Sequence, residues 1–179
     1  MNQHAILIVD DDEFPPHHWL YTLYRAIQTF DVEGALGPVH PFFERQPPVW
    51  LVKSRFCERP IHRTGTLLEW EQTRTGNVLL KRSVFDEHNL CFDLNCKTSG
   101  SDKEFFREAM NVGHRFIAVE EAPVYEIVPP ARQTKEYYLK RAMVQASNER
   151  RYRAPRLRGL AKVTAPAKAA VSLLVYSLM

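Results

Sequence analysis

The 179-residue chain has no uninterrupted apolar run of the roughly 20 residues that a bilayer-spanning helix needs. Its first apolar run is short and leads into acids rather than a small-residue cleavage site, so no signal peptide is expected. Cys57, Cys91 and Cys96 are odd in number and form no Cys-x-x-Cys pair. Reduced thiols are therefore expected, which excludes a disulfide frame and a paired-cysteine zinc site. No internal repeat is visible, so a solenoid is excluded. What is present suits one domain: the length and a 45% apolar content allow a real core.

Charge is unevenly spread. From Arg150 to Lys168 there are seven Lys or Arg residues and no acid, which leaves 17 basic against 21 acidic residues elsewhere. An acidic body with a basic tail suits an anionic membrane surface, and the acidic body argues against nucleic acid. Ala167 to Met179 is apolar apart from Lys168, Ser172 and Ser177, so the tail reads as a membrane-contacting segment after the acidic body. The expected division is 1–150 and 151–179. The expected location is the cytoplasm, peripheral at the inner face of the membrane.

The chain's most informative stretch is Ile6-Leu7-Ile8-Val9-Asp10-Asp11-Asp12-Glu13. Its apolar half reads as a strand buried on both faces. Its acids follow where such a strand emerges at its carboxyl end, the edge at which open α/β sheets bind ligands. Pro15-Pro16 can open a helix, and Trp19, Leu20, Leu23, Tyr24, Ile27 and Phe30 recur on one helical stripe. Val32 to Val39 reads as one strand interrupted by Gly34 and Gly37, which mark close approach of a ligand or another backbone. Residues 40–65 read as an irregular excursion with a helical turn near Val49–Val52. Thr75-Gly76-Asn77 reads as a glycine turn running into a strand at Val78-Leu79-Leu80, with Arg82 to Phe85 a short turn after it.

Ser101 and Glu104 have capping-box spacing, and the helix they open carries Phe105, Phe106, Ala109, Met110 and Val112 before Gly113 stops it. Arg115 to Val119 and Val124 to Val128 read as strands. Pro129-Pro130 breaks the chain, and Thr134 caps a helix bearing Tyr137, Tyr138, Arg141, Ala142 and Gln145. The fold class expected is thus α/β, a mixed and mainly parallel sheet flanked by helices.

Adjacent carboxylates repel one another, and a cation offsets that cost. Hard oxygen ligands suit Mg²⁺ or Mn²⁺, and Mg²⁺ fills its shell with waters and substrate phosphates. On an extended turn Asp10 and Asp12 face one side, so they are the expected nucleotide and metal residues, with Asp11 in support. Asp102 falls at the first helical position, where the helix dipole favours its ionised form. Held there, a carboxylate can take a proton from a hydroxyl. Taken alone, each acid also fits a plain surface role. The opening is similar to a two-component receiver domain as well, but that fold needs a phosphate-accepting Asp after a third strand. No Asp occurs between Val32 and Phe85.

Together the motifs resemble a family 2 glycosyltransferase of the GT-A fold. The resemblance runs through Val9-Asp10-Asp11-Asp12-Glu13 with Trp19-Leu20, Gly37-Pro38-Val39, Thr75-Gly76-Asn77-Val78-Leu79, Ser99 to Phe106, and Val124 to Pro129 with Arg132. It covers residues 4–153, and its order is similar to the exopolysaccharide-assembly, succinoglycan-type branch. It implies that Asp10 and Asp12 bind the metal and the nucleotide-sugar diphosphate, and that Asp102 deprotonates the acceptor hydroxyl. The family has Glu-Asp where this chain has Ser101-Asp102. The resemblance also implies that Gly76 and Asn77 line the sugar pocket, that Glu126 is a further metal contact, and that Arg132 meets the diphosphate. The implied reaction is a single inverting displacement onto a saccharide or lipid-linked saccharide. No Gln-x-x-Arg-Trp motif of the processive synthases occurs, which implies one sugar per encounter.

Family members begin with a segment like Val-Ile-Pro-Thr-Tyr-Asn that recognises the nucleotide base, and this sequence matches only from the next central strand. The expectation is an N-terminally truncated catalytic region with an exposed apolar sheet edge. It has weak activity alone, or a separate chain supplies the missing half. The alternative is an inactive remnant that binds a partner or a membrane.

Overall fold

The computed structural model describes residues 5–87, 90–92 and 101–153, the side chains of 101, 145 and 147–153 excepted. Two compact units divide between Gln133 and Thr134, ahead of the break at 150 expected from charge. Cys96, the Ser99-Gly100 start of the second motif, the side chain of Ser101 and the residues after 153 lie outside the description.

The first unit is built on a four-stranded sheet of order β1 (Ala5–Ile8), β5 (Val78–Lys81), β3 (Gly34–Leu36) and β6 (Phe116–Ala118). β5 runs antiparallel to both β1 and β3, and β3 is parallel to β6. Three strands share one direction while two of the three pairings are antiparallel, so the sheet is mixed, as expected. A three-stranded sheet of order β2 (Glu13–Phe14), β7 (Val124–Ile127) and β4 (Val39–Phe42) lies after the acidic turn. There β2 is antiparallel and β4 parallel to β7.

Period-two alternation along the main sheet feeds two cores. Leu7, Ala35, Leu79 and Ile117 join the core under helix α1 (Trp19–Phe30). Ile8, Leu36, Val78, Leu80, Phe116 and Ala118 join the core under helix α4 (Ser101–Asn111). Both faces of the sheet are covered, which is why its strands read as continuous apolar runs. The strand ahead of the acids is nonetheless only half-buried, not sealed on both faces as expected, because among the described residues β1 is paired on one side only.

Helix α1 buries Trp19, Leu23, Ala26 and Ile27, a narrower face than the one read from sequence. Leu20, Tyr24 and Phe30 are exposed. The i, i+4, i+7, i+8 positions alone reach the sheet, and Ala26 belongs to that face because it is small. Asp31 ends the helix in the left-handed region, with its N–H donating to the Ile27 carbonyl. The predicted single strand over Val32 to Val39 is two strands in different sheets, β3 and β4, divided at Gly37-Pro38. Any β-carbon at Gly37 would collide with the Ala122 carbonyl, so close backbone approach explains this glycine.

The excursion over 40–65 contains part of β4 and helix α2 (Val49–Ser54), where a helical turn was expected. Arg82 to Phe85 enters a short helix, α3 (Ser83–Asp86). In α4, Phe105, Phe106 and Ala109 are buried and Met110 half-buried, while Val112 is exposed. Gly113 follows with φ 104°, the left-handed stop expected of it. In the second unit, helix α5 (Lys135–Arg153) begins with the Tyr137 N–H donating to Thr134 Oγ1 at 3.2 Å. No helix among the described residues is long and apolar enough to cross a membrane.

Candidate active site

The acids after β1 form a closed turn rather than an extended one. Glu13 N–H donates to the Asp10 carbonyl at 3.1 Å, and Asp10 N–H donates to Glu13 Oε2 at 3.2 Å. Asp10 and Asp11 are exposed, whereas Asp12 is half-buried. Asp12 Oδ2 accepts from Arg132 Nη1 at 2.9 Å, and the same nitrogen donates to Glu126 Oε1 at 3.2 Å. Glu126 reaches this place because β2 pairs Glu13 directly across from it. Its second oxygen, Oε2, lies 3.4 Å from Arg59 Nη2. Residues from four separate stretches thus meet around one carboxylate.

Negative charge is in excess at the turn. Burial, then Asp12, Asp11 and Asp102, raise the Asp10 carboxyl above its ordinary value, and Arg59 opposes them. Asp102, at the start of α4, therefore belongs to the same electrostatic neighbourhood as Asp10. Burial pushes Glu13 up to about 6, with Asp10 and Glu126 adding to the shift and the Asp10 N–H working against it. Arg74 is pushed down to about 10 by burial and by Arg59, while Glu13, Glu126 and Asp10 hold its charge in place.

Gly76 lets the acids close on the backbone, and a side chain there would make them shift. A β-carbon there would lie 2.8 Å from Glu13 Oε1 and 3.2 Å from Asp10 Oδ2. The left-handed residue of this turn is Asn77, with φ 56°, not the glycine that the sequence pattern favours. Asn77 is fully buried. Its Oδ1 accepts from Trp19 Nε1 at 2.5 Å, and its Nδ2 donates to the carbonyls of Pro38 and Ala122 at 2.9 and 2.8 Å. Its amide is thus a strut joining α1, the β3–β4 link and the approach to β7. It offers no face to a sugar in this arrangement.

Two participants escaped the sequence reading. Arg59 sits in the Pro- and Arg-rich excursion, and Arg74 directly precedes Thr75-Gly76-Asn77. The only available signal was indirect: clustered acids need counter-cations. Which of 24 basic residues supplies them depends on tertiary contacts.

Fold and site define an α/β protein with helices over both sheet faces and an acidic turn at the carboxyl end of a sheet-edge strand. Among known proteins it is similar to the succinoglycan biosynthesis protein ExoM of Rhizobium meliloti (strain 1021), 28% identical over 159 residues. The likeness to the succinoglycan branch read from the motifs is thus met by a curated relative. The match takes in 87% of this chain and 50% of ExoM, so the chain spans about half the length of that relative. Two crystal structures of S. aureus TarS 1–349 are also similar. The UDP complex gives a TM-score of 0.48 at 15% identity, covering 84% of this chain and 42% of TarS. The other gives 0.46 at 13%, covering 82% and 40%. No family model matches the chain.

Proposed function

We propose that this chain carries the catalytic half of an inverting glycosyltransferase that moves a single sugar from a nucleotide-sugar donor to a saccharide acceptor in exopolysaccharide assembly. The observation that carries this reading is the meeting of Asp10, Asp12, Arg132 and the Asp102 field at the end of β1, in a chain similar to a succinoglycan biosynthesis protein. Asp10 and Asp12 face the donor, and Arg132 exchanges its carboxylate partners for the donor's diphosphate. Asp102 accepts the proton of the attacking acceptor hydroxyl. Closed-in acids and arginines pre-arranged around the reacting groups lower the barrier by orientation and by fixed charge.

The residues fit a divalent cation. Their donors are hard oxygens, the ionised form of Asp10 is disfavoured without a counter-charge, and Gly76 leaves room for two carboxylates to close on the backbone. Among the described residues no three or more His, Cys, Asp or Glu side chains are grouped to hold a metal ion. Mg²⁺ needs one or two carboxylates when waters and phosphates complete its shell. Asp10 and Asp12 would hold Mg²⁺ or Mn²⁺. Glu126, expected as a further ligand, is engaged by Arg59 and Arg132. When bound, the cation supplies positive charge to the departing nucleoside diphosphate.

The test is a titration of nucleoside diphosphates with and without Mn²⁺, followed by transfer assays on Asp102→Asn. Metal-dependent binding is expected, with transfer lost and donor binding kept in the variant. Surviving transfer would remove Asp102 from the base role. A second reading, a non-catalytic chain that binds a partner, is favoured by the half-exposed edge strand β1. It predicts no metal-dependent nucleotide binding at all.

A further inference from the structure

A cavity of about 30 Å³ lies between the β3–β4 link, residues 60–62 and the chain leading into β5. His62, Gln72 and Arg74 are its polar walls, and Leu36, Leu68 and Val119 are among the apolar ones. Among the described residues no Asp or Glu lines it.

Arg74 is a half-buried cation with few partners. Its Nε is shut off from solvent and makes no hydrogen bond among the described residues. Its Nη2 makes one long contact, donating to the Gly37 carbonyl at 3.5 Å. Glu13, Glu126 and Asp10 act on it through space, but none of them forms an ion pair with it. A buried donor without an acceptor, on a group that keeps its charge, is costly unless an anion completes it. This sets Arg74 apart from Arg59 and Arg132, whose guanidinium groups already hold carboxylates. Gln72 is also fixed as a donor. Its Oε1 accepts from the Glu69 N–H at 2.7 Å, which leaves the Nε2 hydrogens for another acceptor.

Size and charge narrow the ligand. A carboxylate head has fewer atoms than a phosphate and docks side-on to a guanidinium edge. With three acids already in the field of Arg74, a monoanion is better received than a dianion. We propose that this cavity binds a carboxylate, held by Arg74 Nε with Gln72 Nε2 and the His62 imidazole as further donors. Only the assignment of that carboxylate to an acidic sugar rests on the transferase reading. Arg74 stands two residues before Gly76, on which Glu13 and Asp10 close, so a sugar anchored there would lie next to the acidic turn.

The test uses neither nucleotide nor divalent cation, so its failure is distinct from failure of the donor reading. Glucuronate, acetate, glucose and inorganic phosphate are titrated against the whole chain in EDTA, with binding read by ligand-observed NMR. At least one carboxylate should bind, with glucose and phosphate about ten-fold weaker or more. Arg74→Gln and Gln72→Glu should each weaken the better carboxylate by about ten-fold or more, the loss expected for a hydrogen bond to a charged group. Gln72→Glu keeps an acceptor for the Glu69 N–H, so it should fold even where Arg74→Gln does not, which circular dichroism checks. Glucuronate binding tighter than acetate identifies an acidic sugar, and equal or weaker binding identifies a free carboxylate. Absence of binding by both carboxylates, glucose or phosphate binding as tightly as the better one, or unchanged affinity in either folded variant overturns the proposal.

Discussion

Asn77 is where one side chain fixes three segments at once. Asn77→Ala would leave the Trp19 indole N–H and the Ala122 carbonyl without their partner, and the Pro38 carbonyl with only the Val124 N–H. At about 1–3 kcal/mol per unsatisfied buried group, a loss of about 3 kcal/mol or more is expected in denaturant unfolding. Asn77→Gly tolerates the positive φ and should cost about 1 kcal/mol less than Ala. Equal losses would mean that backbone conformation contributes nothing at this site. Glu13 gives a pH signature of definite sign. Its folded value is about 6 against an ordinary 4.5, so the fold binds the protonated form more tightly. Stability should then fall as pH rises from 4.5 through 6 and stay lower above it. In metal-free buffer Glu13→Gln should match the parent's melting temperature at pH 4 and exceed it at pH 8. A lower melting temperature at pH 8 would overturn the assignment.

At the scale of the element, legibility followed packing. The helix over Ser101 to Asn111 was readable because Phe105, Phe106 and Ala109 fall on one face and Gly113 supplies the stop. Helix α1 was readable in extent but not in breadth, because only the sheet decides which apolar side chains it covers. Val32 to Val39 failed as a single strand because the Gly37-Pro38 break passes the chain to a second sheet, which no local propensity encodes. Phe106 stacks edge-on to Phe105 and Phe116 with ring centroids 5.4 and 5.1 Å apart. Phe106→Ala should therefore cost about 3–5 kcal/mol. Val112→Ala, on the exposed side of the same helix, should stay within about 0.5 kcal/mol. Comparable losses for the two would mean that α4 does not pack on the sheet through this face.

Across the whole first unit, charge is arranged as interleaved acids and arginines rather than as a bare acidic pocket. The acids were legible because they are adjacent in sequence: Asp10 to Glu13 announce themselves. Their partners Arg59, Arg74, Glu126 and Arg132 lie 46 or more positions away and are brought in by β2 pairing with β7 and by the chain after α2. That separation is why the acidic turn was readable from the sequence while its neutralising shell was not. The main sheet carries a last consequence at its margin. Among the described residues β1 pairs only with β5, so alternate amides along Ala5 to Ile8 are held in the ladder and the others point outward. Amide hydrogen exchange along β1 should then separate into a slow and a fast set in strict alternation. Docking of another strand at this margin would merge the two sets into one slow class.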